Sequence, residues 1–408
     1  MNGLGNKDNS GLIRPYFKTL SAYIPAAAVI LLYSASLQYG YVWDDYFNLA
    51  KRSHSLIFDQ TLNHFRPFWY YSFYFLQDLL ETPAGHRSIN IAMVALSAVV
   101  LGSILNKADV RYPWAFALIV FAQPSYVYPA TWITLRVDCF IILFLILTFR
   151  NFENRWGLLF LICSDFSKAP FLLQNLWYGI IKFREGRRLL AAFVILIMIL
   201  IMGLIVTYWL GVNAVSSSPT SKLSLDPLEG LVVILMIRTA KVLEGIFLIH
   251  FPVFAYYSQV TILYSMLAFS AMAACWLTII VDFIRHRPRI PALAKHSLIL
   301  AVLSSLPFAI VTDPRVLGPA IPFWFMFWII VGANRMRIVV PLALLGAMGL
   351  GGTLLNYKVS DTGVYVLDPK LDYTVCGPHE LKIPAEQWRC DRFKFASMII
   401  ERINILGK

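Results

Sequence analysis

Charge is scarce in this sequence. Only 14% of its 408 residues are charged, whereas 58% are hydrophobic, and mean hydropathy is +0.65. That balance excludes an ordinary soluble globular domain, which needs a polar shell, and fits a polytopic membrane protein. There is no Gly-rich phosphate-binding motif, no Cys-x-x-Cys and no Gly-x-Ser-x-Gly. These absences count against an ATP-driven pump, a zinc protein and a serine hydrolase, and leave channels and transporters open. No internal repeat of the kind found in many secondary transporters is visible, and no low-complexity tract.

Cysteine is sparse too, with five in all. Cys139, Cys163 and Cys275 lie in apolar segments and read as small packing residues. Cys376 and Cys390 lie in the polar C-terminal stretch. With that stretch outside the cytoplasm, a disulfide between them is expected, worth roughly 3 kcal/mol; two free thiols are the alternative.

What the chain does have is 35 Lys and Arg against 23 Asp and Glu, a net charge of +12. The basic residues form no single patch, so nucleic acid is not the expected partner. They fall in short clusters between apolar runs, as topology signals do. Lys7, Arg14 and Lys18 precede the first run, Leu20–Leu37, so the N-terminus reads as cytoplasmic and the run as a retained anchor. Further runs are Ser88–Leu105, Tyr112–Ala122, Ile133–Phe149, Leu189–Leu210, Val260–Ile284, Leu298–Val311, Val316–Val331 and Ile338–Leu355. Gly157–Cys163 and Phe171–Ile181 are each too short to cross alone; broken at Ser164–Pro170, they read as a pair going out and back. The sum is an all-α polytopic membrane protein of about eleven spans, multi-pass in a cytoplasmic membrane. Residues 1–355 would form the membrane domain, with a large first outer loop (38–87) and an outer loop with a re-entrant helix (211–257). Residues 356–408 would form a small extracytoplasmic segment.

Within that topology, Asp44 and Asp45 stand just after the first span. Acids at a membrane boundary are costly, so an adjacent pair suggests a general base toward a hydroxyl. A helix-ending polar pair at the membrane boundary is the alternative explanation. Arg66, His86-Arg87, Arg136, Lys168, Arg238, Lys241 and Arg315 fall at the same outer face, against the positive-inside tendency. Such a cluster suits a lipid phosphate, both for binding and for stabilising charge as the phosphate departs. Singly, each is better explained as snorkelling to headgroups. Arg238 and Lys241 share a helical face, whereas Arg136 and Asp138, two apart, point different ways. His54, His64 and His86 share the first loop with acids, but their spacing fits no metal template.

The order of these features resembles the GT-C superfamily of membrane glycosyltransferases. The residues that carry it are Asp44-Asp45, Arg66-Pro67-Phe68, and the His-x-x-x-Asn of His86 and Asn90. Gln123-Pro124 through Ala130-Thr131-Trp132-Ile133 to Arg136-Val137-Asp138 is similar to the outer loop and fourth span of protein O-mannosyltransferase-like members. Ser167-Lys168 looks like their Ser-Lys-Glu segment, with Ala169 in place of the Glu. The match covers residues 20–182, the rest by layout alone.

The resemblance implies a GT-C-like bundle that transfers a sugar from a polyprenyl-phosphate donor on the extracytoplasmic (periplasmic) face. Asp44 or Asp45 would be the catalytic base. Arg66, Arg136, Lys168, Arg238, Lys241 and Arg315 are candidates for the donor phosphate, and His64, His86 and Asp138 for substrate contacts. The phosphate is itself the leaving group, so no cofactor is required, and no metal ligands are assigned; a divalent ion is left open. Layout also resembles the O-antigen-modifying glucosyltransferases, which implies an undecaprenyl-phosphate sugar, a lipid-linked glycan acceptor, and work alongside a donor synthase and a donor flippase. The competing expectation is a flippase for lipid-linked oligosaccharide. It would need polar residues along a continuous path, and the apolar runs carry their charges at the ends, which counts against it.

Overall fold

The computed structural model describes residues 22–38, 67–76, 82–167, 173–215, 259–310, 318–332 and 335–361. Among these residues every element is helical, in keeping with the all-α expectation. In chain order the α-helices are α1 (Ile24–Ser34), α2 (Pro67–Leu76), α3 (Pro83–Lys107), α4 (Pro113–Phe121), α5 (Val127–Thr131), α6 (Arg136–Arg150) and α7 (Arg155–Asp165). Then come α8 (Gln174–Arg184), α9 (Arg188–Val215), α10 (Gln259–His286), α11 (Ala292–Ile310), α12 (Ile321–Gly332) and α13 (Met336–Asp361).

The centre of the bundle is α3, which packs against α1, α4, α5, α6 and α12. It begins at Pro83, five residues before the apolar run at Ser88. Thr82 caps it by accepting from the Gly85 N–H at 3.1 Å, and a proline in the first turn loses no helical hydrogen bond. The early start is functionally important. It brings His86 and Arg87, expected in a loop, into the helix itself.

Among the described residues, one helix, Ala84–Lys107, is long and apolar enough to cross a membrane; Ile24–Leu37, Arg188–Gly203, Ala292–Leu306, Ile321–Gly332 and Met336–Gly351 are apolar but shorter. The expected third span is corrected outright. α4 has nine residues, about 14 Å of helix against roughly 30 Å of hydrocarbon. Pro124, which cannot continue the hydrogen-bond ladder, follows its end closely. The short pair expected around residue 165 is present as α7 and α8, of eleven residues each.

Ending α4 early strands carbonyl groups inside the bundle, and other helices satisfy them. Tyr33 of α1 donates its hydroxyl to Phe121 O at 2.7 Å, and Thr353 of α13 donates to Ala122 O at 2.6 Å. Tyr126 in turn reaches Gly318 O at 3.0 Å. These bonds tie α1, α4, α12 and α13 together around a break rather than around a continuous helix.

Close approach also needs glycine. A Cβ at Gly346 would overlap the branched Ile119 side chain where α13 meets α4, whereas one at Gly203 would meet nothing. Gly346→Ala is therefore expected to destabilise the folded protein by about 1–3 kcal/mol, and Gly203→Ala to be neutral or stabilising. Thermal unfolding of the two purified variants checks this.

A second prediction concerns pH. His296, just before the apolar run Leu298–Val311, accepts from Trp177 Nε1 at 3.3 Å. Burial and the nearby Arg184 charge lower its pKa below 6.5. Below pH 6.5 the unfolded chain therefore binds a proton that the folded chain refuses, so stability falls as pH drops. The same titration of His296→Gln is expected to show a shallower fall.

Candidate functional site

The start of α3, the segment 129–135 and the start of α6 form one buried polar cluster. Its logic begins with backbone. Pro129, Trp132 and the short helical turns around them leave carbonyls without helical partners. Asn90 donates through Nδ2 to Pro129 O at 3.0 Å and to Trp132 O at 2.9 Å. Arg87, three residues back on the same face, donates through Nε to Thr131 O at 2.6 Å. Cys139 Sγ adds a bond to Pro129 O at 3.1 Å, so it is more than a packing residue.

Those bonds orient the Asn90 amide, and its remaining oxygen faces Arg136. Arg136 Nε donates to Asn90 Oδ1 at 3.1 Å, Nη2 to His86 O at 3.2 Å, and Nη1 approaches Ser72 Oγ of α2 at 3.5 Å. Nη2 also lies 2.9 Å from His86 Nδ1. A guanidinium has no acceptor, so Nδ1 must be the unprotonated nitrogen and His86 the neutral, Nε2-protonated tautomer. His86, Arg87, Asn90 and Arg136 are all 0% exposed and Asp138 is 1% exposed. Asp138 sits in the first turn of α6, where a helix N-terminus favours a carboxylate. Two guanidiniums against one carboxylate leave the described cluster net positive.

Of the residues named from the sequence, His86 and Arg136 are in contact, and Asp138 is buried in the first turn of the same helix as Arg136. Their setting differs from the expectation, because Arg136 is not an open phosphate ligand. Its donors are already engaged, and it acts by holding charge and geometry in place. Arg87 is named in the sequence only as one of the outer basic residues, without a place in the site, and Ser72 is not named at all. A signal for Arg87 existed in its three-residue spacing to Asn90; for Ser72 there was none. Asp44, Asp45, His64, Arg66, Lys168, Arg238, Lys241, Arg315, Cys376 and Cys390 lie outside the described residues.

Two flanks of those residues do meet. The Phe68 N–H, at the start of α2, donates to Phe166 O at 3.2 Å, and the two phenyl rings pack edge-on with centroids 6.2 Å apart. Phe68 also packs against Phe140 and Phe144 of α6. The chain immediately after Arg66 is thus joined to the chain immediately before Lys168.

A feature not anticipated lies on α8. Gln174, Asn175, Tyr178 and Lys182 are 0–1% exposed and follow one another at helical spacing. Lys182 pairs with Glu185 at 2.8 Å, and Gln174 donates to Ser304 of α11 at 2.8 Å. The sequence places charges at the ends of the apolar runs; here buried uncharged polar groups also fall along a short helix. Among the described residues, no group of three or more His, Cys, Asp or Glu side chains is placed to hold a metal ion.

No protein-family model, curated protein or solved structure matches this chain.

The geometry predicts a marked cost for removing the amide. Asn90→Ala strands the Arg136 Nε–H and two carbonyls, and is expected to lower stability by roughly 2–4 kcal/mol. Ser88→Ala, at an exposed position of the same helix, is expected to change it by less than about 0.5 kcal/mol. Denaturation of both variants in one detergent measures the difference.

Proposed function

We propose that this protein is a membrane-embedded inverting glycosyltransferase. It takes a sugar from a polyprenyl-phosphate donor and passes it to a hydroxyl of a lipid-linked glycan on the extracytoplasmic face. The observation that carries this is the buried Arg136–His86–Asn90 network, which brings into contact three residues that the sequence pattern had named.

Membrane embedding is supported by the outer surface of the helices. Leu31 is 74% exposed, Leu189 89%, and Leu200, Leu277, Ile284 and Leu354 each more than half exposed. So many bare leucines and isoleucines over several helices suit lipid rather than water. Helices α9 and α10, of 28 residues each, reach about 42 Å, enough to span with some tilt.

In the proposed reaction, Asp44 or Asp45 accepts the proton of the acceptor hydroxyl. The oxygen attacks the sugar's anomeric carbon, the bond from that carbon to the phosphate oxygen breaks, and polyprenyl phosphate leaves with the electron pair. A single displacement inverts the anomeric centre. Positive charge at the outer face stabilises the departing phosphate. Arg66, Lys168, Arg238, Lys241 and Arg315 are the candidates for contact, and Arg136 is a positioning residue.

A second reading, a flippase for lipid-linked oligosaccharide, draws on the buried polar stripe of α8, which offers part of the path a transporter needs. Its four residues lie on one short helix, so the transferase is preferred.

The test is transfer by purified protein from synthetic undecaprenyl-phosphate sugars to lipid-linked glycan. Loss of a general base lowers the rate by about 10²–10⁴-fold, expected for Asp44→Asn or Asp45→Asn in protein that still folds and inserts. Arg136→Lys, which cannot reproduce the fork to Asn90 and His86, is expected to lower kcat by roughly tenfold or more. Full activity in both aspartate variants would remove the catalytic assignment.

A further inference from the structure

Away from the Arg136 cluster, a second buried polar set joins the end of α7 to the start of α8. Asp165 Oδ2 accepts from Asn175 Nδ2 at 2.8 Å, and Gln174 Nε2 donates to Ser304 Oγ at 2.8 Å. The first bond orients the Asn175 amide, since reversing it would oppose two oxygens, whereas the Ser304 hydroxyl can accept from or donate to Gln174 either way round. What remains is a set of open polar atoms. Among the described residues, Asp165 Oδ1, Asn175 Oδ1, the outer atom of the Gln174 amide and Ser164 Oγ are buried without a hydrogen-bond partner. Their residues are 0–1% exposed.

Each unmet buried polar atom costs free energy, and native folds keep few of them. Here four fall on residues linked by a single hydrogen bond, at the two ends of the connection 168–172. Asp165 and Asn175 present acceptors, while Gln174 and Ser164 can do either, so the missing group must bring donors and also be able to accept. A phosphate brings acceptors and is repelled. A divalent cation would want more carboxylates than the one present. A sugar ring offers several O–H donors, with oxygens that can accept from the Ser164 hydroxyl.

We propose that Ser164, Asp165, Gln174 and Asn175 form the subsite for the hydroxyls of the donor's sugar. This rests on the transferase reading above. Position supports it. Phe166, next to Asp165, is bonded to Phe68 at the start of α2, and Ser72 of that helix meets Arg136. Phe68 and Ser72 are one helical turn apart, about 6 Å. α2 therefore touches the neighbour of Asp165 at Phe68 and the cationic cluster at Ser72, which links the two sets through one short helix. Burial removes bulk water as a competing donor, so hydroxyl placement, and hence the identity of the sugar, is read here.

The experiment compares binding of polyprenyl phosphate and polyprenyl-phosphate hexose to the full-length protein in lipid nanodiscs. Wild type is expected to bind the sugar-bearing lipid more tightly. Asp165→Asn keeps the acceptor for Asn175 but turns the open oxygen into a donor, and Asn175→Ser shortens the amide. Both are expected to weaken binding of the sugar-bearing lipid by about tenfold or more and leave the bare lipid unchanged. Equal loss for both lipids makes the residues structural and overturns the subsite. Undiminished binding in both variants, with water alone filling the site, overturns it too. If wild type binds neither lipid, the donor reading fails by itself. A rise in Tm with methyl hexosides, lost in Asp165→Asn, would then still support a sugar site; no rise would overturn it.

Discussion

Everything near the proposed site depends on how stranded carbonyls are satisfied inside an apolar bundle. The chain from Phe121 to Leu135 is broken into short turns by its prolines, and many of its residues are buried. Each freed carbonyl meets a side chain from a distant part of the sequence: Tyr33 at Phe121, Thr353 at Ala122, Arg87 at Thr131, and Asn90 at both Pro129 and Trp132. Asn90 matters most. One amide closes the break with its nitrogen and holds Arg136 with its oxygen.

That economy explains why a guanidinium can stay in so dry a place. A buried cation is tolerated only when its donors are met, and here main-chain and side-chain oxygens and one imidazole nitrogen meet them. The neutral His86 is a consequence of the same contact. An imidazolium beside Arg136 would set two like charges in contact. The cluster thus supplies fixed positive potential without a mobile side chain, which is what preorganised stabilisation of a departing phosphate calls for. α2 links this cluster to Phe166, beside which the oxygens of Asp165 and Asn175 ask for donors instead. Two neighbouring regions of opposite demand suit one ligand with an anionic end and a hydroxyl-rich end.

Most helix positions were legible because apolar runs are long and clean. Val260–Ile284 became Gln259–His286, and Leu189–Leu210 became Arg188–Val215. The failures have local causes. Pro124 was visible, yet the run Tyr112–Ala122 was apolar enough to pass for a span; composition outweighed the break. The start of α3 was set by a Thr-Pro cap, not by hydropathy, so His86 and Arg87 were assigned to the loop. In the site, the i,i+4 pair His86 and Asn90 was readable as a motif. Gln174 and Ser304, 130 residues apart, were not, because their pairing exists only after α8 and α11 pack. Asp165 lies in the polar break Ser164–Pro170, where no sequence spacing points to Asn175, ten residues on, as its partner.

The most direct measurement is the chemical fate of the donor. Wild-type protein in liposomes is given a polyprenyl-phosphate hexose with isotope in the sugar, together with a lipid-linked glycan. The account predicts stoichiometric release of polyprenyl monophosphate and a labelled glycosidic bond of inverted anomeric configuration. Movement of the intact donor between leaflets with no bond broken would contradict it and identify a transporter instead.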